Sequence, residues 1–132
     1  LDKAQGKWVL SLDADEALSP GLIEEIKQII FSAAVSSEAY AIKRVSFFSG
    51  KKIRYGDWSA DKVVRLFRRL ATIRFTPSMV HEHLIGYQRL ATLKQVIFHN
   101  TMKDMSQVLM KLESYSSYGA QLAYQQHKKS SL

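Results

Sequence analysis

The stretch Lys7-Trp8-Val9-Leu10-Ser11-Leu12-Asp13-Ala14-Asp15-Glu16, followed at once by Ser19-Pro20, decides how this chain is read. Residues 7–12 are a short apolar run rich in strand formers. The run ends abruptly in Asp13-Ala14-Asp15-Glu16. Ser19 can cap a helix, and Pro20 suits the first helical position. Leu22, Ile23, Ile26, Ile29 and Ile30 then recur at helical spacing, with Glu24, Glu25 and Lys27 opposite, which predicts a helix to about Val35. A strand that ends in carboxylates and turns into a helix is the start of an α/β unit.

The same reading extends outward. Residues 39–48 read as a strand, Ser49-Gly50-Lys51 as a turn and Lys52–Tyr55 as a short return strand. Residues 62–68 alternate apolar and basic, and Thr72–Phe75 is expected to pair with them. Residues 94–99 form a last strand. Asp104 with Gln107 three residues on resembles a capping box. Met105, Val108, Leu109, Leu112, Tyr115, Leu122 and Ala123 then mark an amphipathic helix to about residue 127, whose apolar stripe is expected to pack on the core. The fold class is α/β, a mixed sheet with flanking helices. Residues 1–102 form the domain and residues 103–132 the helix that packs on it or follows it.

Composition sets bounds. The chain has 132 residues, 46% hydrophobic and 23% charged, enough for one domain with a real core. It has no cysteine, which excludes disulfide scaffolds, thiol nucleophiles and Cys-based metal sites. The net charge of +7 favours a partner bearing negative charge: nucleic acid, anionic lipid or a phosphorylated substrate. No run approaches the roughly 18 apolar residues of a membrane span, and no signal peptide opens the sequence. The start at Leu1, just before a strand, reads as a piece of a longer protein.

Asp13 and Asp15 in extended chain would point to one side, outside the carboxyl end of a strand. Such a pair offers hard oxygen ligands to Mg²⁺ or Mn²⁺ where open α/β sheets bind ligands. The plainer alternative is a solvated acidic turn, with Asp15 and Glu16 near the positive end of the next helix. His81-Glu82-His83 is not a zinc-protease helix, because Ile85 stands where the second histidine is needed. Glu82 could instead act as a general base with His81 nearby, or the segment could be a polar edge strand. His99 closes the last predicted strand; it is either a hydrogen-bonded structural residue or the imidazole that completes a site with Asp15. Lys62, Arg65, Arg68 and Arg69 are either a wet strand face or phosphate contacts. Phe47, Phe48, Tyr55 and Trp58 could stack on a sugar or base, or be core. His127 reads as solvated.

In order along the chain, Trp8–Glu16, Arg65-Leu66-Phe67-Arg68-Arg69, Val80-His81-Glu82 and Phe98-His99 resemble the family 2 glycosyltransferases of GT-A fold. The bacterial subgroup that includes lipopolysaccharide core β-glucosyltransferases is the most similar. The resemblance implies inverting transfer of a sugar from a UDP-sugar to a saccharide or lipid-linked saccharide, with Mn²⁺ or Mg²⁺ as cofactor. It implies Asp15 as metal ligand, Asp13 near the ribose or the metal's water shell, and His99 completing the metal or diphosphate site. Arg65, Arg68 and Trp58 would lie near donor phosphate or acceptor, with His81 on the acceptor side. Glu82 would be the base, with Asp61 or Asp57 as substitutes because the usual acceptor motif reads Val-His-Glu here. The implied location is the cytoplasm, with peripheral contact at the inner face of the cytoplasmic membrane and no nucleic-acid partner. The family's nucleotide-gripping strands precede the Asp-x-Asp strand, so the 132 residues alone are expected to be inactive and, through an open sheet edge, prone to self-association. The competing reading is a basic, nonenzymatic nucleic-acid-binding module that uses the +7 charge and the Arg-rich strand.

Overall fold

The computed structural model describes residues 1, 3–56, 59, 61–77, 83–102 and 104–125, Leu122 by its backbone alone. Two strands form over the residues that the sequence predicts: β3 (Ala39–Phe48) and β5 (Lys62–Arg68). With β1 (Trp8–Leu10), β2 (Glu16–Leu18), β4 (Lys51–Lys52) and β8 (Leu90–Met102) they make a six-stranded mixed sheet in the order β1-β5-β3-β8-β2, with β4 paired to β3. β5 is antiparallel to both β1 and β3, while β3 and β8 are parallel. β1, β3 and β8 therefore run the same way, and β1 ends level with the starts of β3 and β8.

Side-chain alternation sends the two strand faces into two small cores. On one face Tyr40, Ile42, Leu66, Leu93 and Ile97 pack against Leu22 and Ile26 of helix α1 (Pro20–Phe31). On the other face Ala39 and Phe67 meet Ile73 and Leu84, beside the two-stranded pair β6 (Arg74–Phe75) and β7 (Leu84–Ile85). Phe67, Ile42, Leu22 and Ile97 are wholly buried, each worth about 2–3 kcal/mol of transfer free energy. The Ser19 hydroxyl caps α1 by accepting from Leu22 N–H at 3.3 Å, with Pro20 at the first helical position as expected.

Several expectations are corrected. α1 stops at Phe31 rather than Val35, because Ser32 turns extended and its hydroxyl accepts from Ala34 N–H. The return strand is Lys51–Lys52 alone. Thr72–Phe75 does not pair with β5, because β1 and β3 already occupy both of its edges; Arg74–Phe75 pairs with Leu84–Ile85 instead. The last strand is longer, Leu90–Met102, and carries a register shift against β3. There Lys94 and Gln95 donate their backbone N–H groups to the Glu25 carboxylate of α1, at 2.9 and 3.0 Å.

Helix α2 (Met105–Gln125) starts at Asp104, whose carboxylate accepts from Gln107 N–H at 3.0 Å. Its apolar stripe does not pack on the core as expected. Met105, Leu109, Met110, Leu112 and Tyr115 are exposed, while Gln107, Val108 and Lys111 are partly buried. The helix touches the sheet through its first two turns.

Gly86, just beyond β7, has φ +89°, and a Cβ there would lie 1.8 Å from the Thr72 carbonyl oxygen. Gly86→Ala is therefore expected to lower stability by about 2–3 kcal/mol through strain and forced displacement of backbone. A urea midpoint equal to that of the unaltered protein would refute this.

Candidate functional site

Asp13-Ala14-Asp15-Glu16 is not extended. Glu16 N–H donates to the Asp13 carbonyl at 3.0 Å and closes a turn, after which the chain re-enters the sheet as β2. The turn sends Asp13 and Asp15 to different partners, so they do not share a side as extended geometry predicts, while Asp13 and Glu16 meet at one arginine.

Asp13 pairs with the Arg65 guanidinium. Glu16, whose side chain is fully buried, lies 2.8 Å from the same guanidinium and 3.4 Å from that of Arg44, and its other oxygen accepts Asp13 N–H at 3.1 Å. Arg44 also pairs with Asp61. Arg65 reaches this network because β5 shifts register against β3 at this point: Tyr40 faces Leu66 and Ala41 faces Val64, leaving Arg65 without an opposite residue. Such a bulge re-aims the side chain. Burial works against the Arg65 charge, but hydrogen bonding and charge from Glu16, then Asp13, outweigh it and raise its pKa above the ordinary arginine value.

Asp15 faces the other way. Its Oδ2 lies 3.4 Å from His99 Nε2 and 3.8 Å from Lys111 Nζ. Asn100 N–H donates to the Asp15 carbonyl at 2.9 Å, which fixes the backbone. His99 pairs with Glu16 on β2 and with Ser46 on β3, so three adjacent strands present polar side chains in one row. Ser46 Oγ lies 3.1 Å from His99 Nδ1. A cleft of about 700 Å³ opens beside the pair, lined by Asp15, Asn100, Thr101, Gln107 and Lys111.

Serine, histidine and aspartate thus stand in a chain, but not as a hydrolytic triad. A nucleophilic hydroxyl must face substrate, with the carboxylate buried behind the imidazole. Here Ser46 is 2% exposed and Asp15 is the open end.

Asp15 and His99 could supply two ligands to a divalent ion. Two ligands in adjacent octahedral positions, each about 2.1 Å from the ion, are about 3 Å apart, and 3.4 Å approaches that. Among the described residues no group of three or more His, Asp or Glu side chains is gathered for a metal. The remaining positions would fall to phosphate oxygens and water, the usual arrangement for Mg²⁺ at phosphates.

Of the expected site residues the structure brings together Asp15 with His99, and Asp13 with Arg65. Arg68 is placed elsewhere: it stands opposite Trp8, its guanidinium 5.1 Å from the indole centroid and donating to the Val35 carbonyl at 2.8 Å. Arg65 and Asp61 are taken up in the ion network. Asp57, Trp58, Val80, His81, Glu82, His127, Lys128 and Lys129 lie outside the described residues. Sequence reading missed Ser46, Arg44 and Lys111. Ser46 and Arg44 carried a signal, since both fall on the parity of core residues Tyr40 and Ile42.

No family model matches the sequence, and no solved structure matches the fold. No helix among the described residues is long and apolar enough to cross a membrane.

Proposed function

We propose that this chain carries the metal and diphosphate end of an inverting GT-A glycosyltransferase, which moves a sugar from a UDP-sugar to a saccharide or lipid-linked saccharide in lipopolysaccharide or other envelope-glycan synthesis. The observation that carries the reading is the Asp15 carboxylate beside the His99 imidazole, near the carboxyl ends of the parallel strands β3 and β8, with Asp15 on the rim of a cleft. These are the two residues that the resemblance pairs, from positions 84 apart in the sequence.

Asp15 and His99 would hold Mn²⁺ or Mg²⁺. When bound, the ion supplies positive charge to the departing diphosphate. Asn100 N–H and Ser46 orient the two ligands. A neutral sugar hydroxyl needs a carboxylate to take its proton. Asp61 is held by Arg44, which favours Glu82 for that role. Asp13, tied to Arg65, would brace the turn. The exposed apolar side of α2 is compatible with contact at a membrane surface, where lipid-linked acceptors sit. The nucleic-acid alternative is weakened because Arg44, Arg65 and Arg68 point their guanidiniums at internal partners, whereas phosphate binding needs them free.

Calorimetric titration of UDP into the full-length protein, with and without Mn²⁺, tests the reading. Metal-dependent binding that disappears in Asp15→Asn is the expected result. No binding by folded protein, or binding indifferent to both metal and Asp15, would sink it.

A further inference from the structure

A diphosphate leaving group needs more than one positive charge, and the two arginines expected to supply it are occupied. Arg65 is bound by Glu16 and Asp13, and Arg68 is bound to Val35 and Trp8. Among the described residues that line the cleft, Lys111 is the only cation. It comes from the second turn of α2, on the side that touches the sheet. Its ammonium donates to the Thr101 carbonyl at 2.9 Å and stands 3.8 Å from Asp15 Oδ2.

The ammonium has three donors, and its one hydrogen bond among those described goes to Thr101, with Asp15 beyond hydrogen-bond distance at 3.8 Å. The position has a further consequence. A divalent ion on Asp15 and His99 would sit within a few ångströms of the lysine, and the two positive charges would repel. Alone, the ion competes with Lys111 for Asp15. Accompanied by a diphosphate, the ion and the lysine share an anion that both attract.

We infer that Lys111 is the protein's diphosphate-binding cation, placed so that it disfavours the bare metal ion and favours the metal–diphosphate pair. This rests on the proposed metal site and extends it to α2. The helix then belongs to the site, and the order of binding follows: the ion enters with the diphosphate rather than before it.

The test is calorimetric titration of Mn²⁺ alone, of Mn²⁺ with inorganic pyrophosphate, and of Mn²⁺ with UDP, into the full-length protein and its Lys111→Gln and Lys111→Arg variants. Lys111→Gln is expected to bind Mn²⁺ alone several-fold more tightly and Mn²⁺–pyrophosphate about tenfold or more weakly. Lys111→Arg is expected to keep most of the pyrophosphate affinity. The opposite signs matter, since structural damage to α2 or to the turn would weaken both. Pyrophosphate affinity unchanged in Lys111→Gln, or both affinities falling together, overturns the inference. Protein that takes up Mn²⁺–pyrophosphate in a Lys111-dependent way but ignores UDP upholds the lysine's role and sinks the uridine-nucleotide reading. Protein that binds neither overturns both.

Discussion

Glu16→Ala is expected to cost about 3–5 kcal/mol of folding free energy, the usual penalty for breaking a buried ion pair from one side. Glu16 is the carboxylate at which two arginines meet. Its side chain is wholly buried, and it lies 2.8 Å from Arg65 and 3.4 Å from Arg44. Removing it leaves Arg65 with Asp13 and Arg44 with Asp61, each a partly solvated partner. The network has no spare acceptor, since the buried Nε of each arginine already has no hydrogen-bond partner among the described residues. The Asp13 N–H also loses its acceptor, so the turn that places Asp15 loosens. Glu16→Gln keeps the shape and loses the charge, and should fall between. Combining Glu16→Ala with Arg65→Met should recover part of the loss, because the guanidinium left with the half-exposed Asp13 alone is gone. Pairing raises the Arg65 pKa, so this stabilisation is fully present below the ordinary arginine value and is lost only as pH climbs through the raised one. The loss in Glu16→Ala should therefore not vary through Arg65 across the neutral range. Urea denaturation at several pH values reads all of this. A loss under about 1 kcal/mol would mean that the pairs carry no net stability, as exposed ones usually do not.

That network also shows what could be read in the sequence and what could not. β3 and β5 were legible over their full lengths, because both are runs rich in β-branched and aromatic residues. Ser19-Pro20 marked α1 for local reasons: one side-chain hydrogen bond and one fixed φ. β2 was not legible. Glu16-Ala17-Leu18 has no strand pattern of its own and becomes a strand because β8 offers an edge to it. The sequence reading thus left Glu16 on a solvated turn, whereas pairing with His99 on β8 turns it inward. The bulge at Arg65 was equally hidden, since plain alternation would have pointed that side chain away from Leu66 and its neighbours. Asp15 and His99 could be named as candidates from residue type and order, and the inward parity of Ser46 was legible, but its meeting with His99 depends on a parallel strand pairing, and the approach of Lys111 on a helix docking, that no local signal encodes.

On the proposed reading, His99→Ala should lower Mn²⁺ affinity by more than a hundredfold, and Ser46→Ala by about tenfold to a hundredfold, the usual cost of removing an orienting partner behind a ligand. The Ser46 hydroxyl can serve His99 in two ways because it both donates and accepts. Without an ion, Nε2–H can donate to Asp15 while Ser46 O–H donates to Nδ1. An ion held by Nε2 would leave the proton on Nδ1, which would donate to the same hydroxyl oxygen. Both arrangements use the 3.1 Å contact already present, so binding needs a rotation of one hydroxyl and no movement of the ring. Ser46→Ala keeps the ring and its Asp15 contact but strands Nδ1 in a buried row, and Ser46→Thr restores the hydroxyl at the cost of one extra methyl in a tight space. Nitrogen-15 spectra of His99 give the readout that packing damage would not imitate: in the unaltered protein, adding diamagnetic Mg²⁺ should shift the proton from Nε2 to Nδ1. A tautomer that stays unchanged at saturating Mg²⁺, or Mn²⁺ affinity indifferent to His99→Ala, would remove His99 from the site and leave Asp15 with Lys111 as an ordinary surface ion pair.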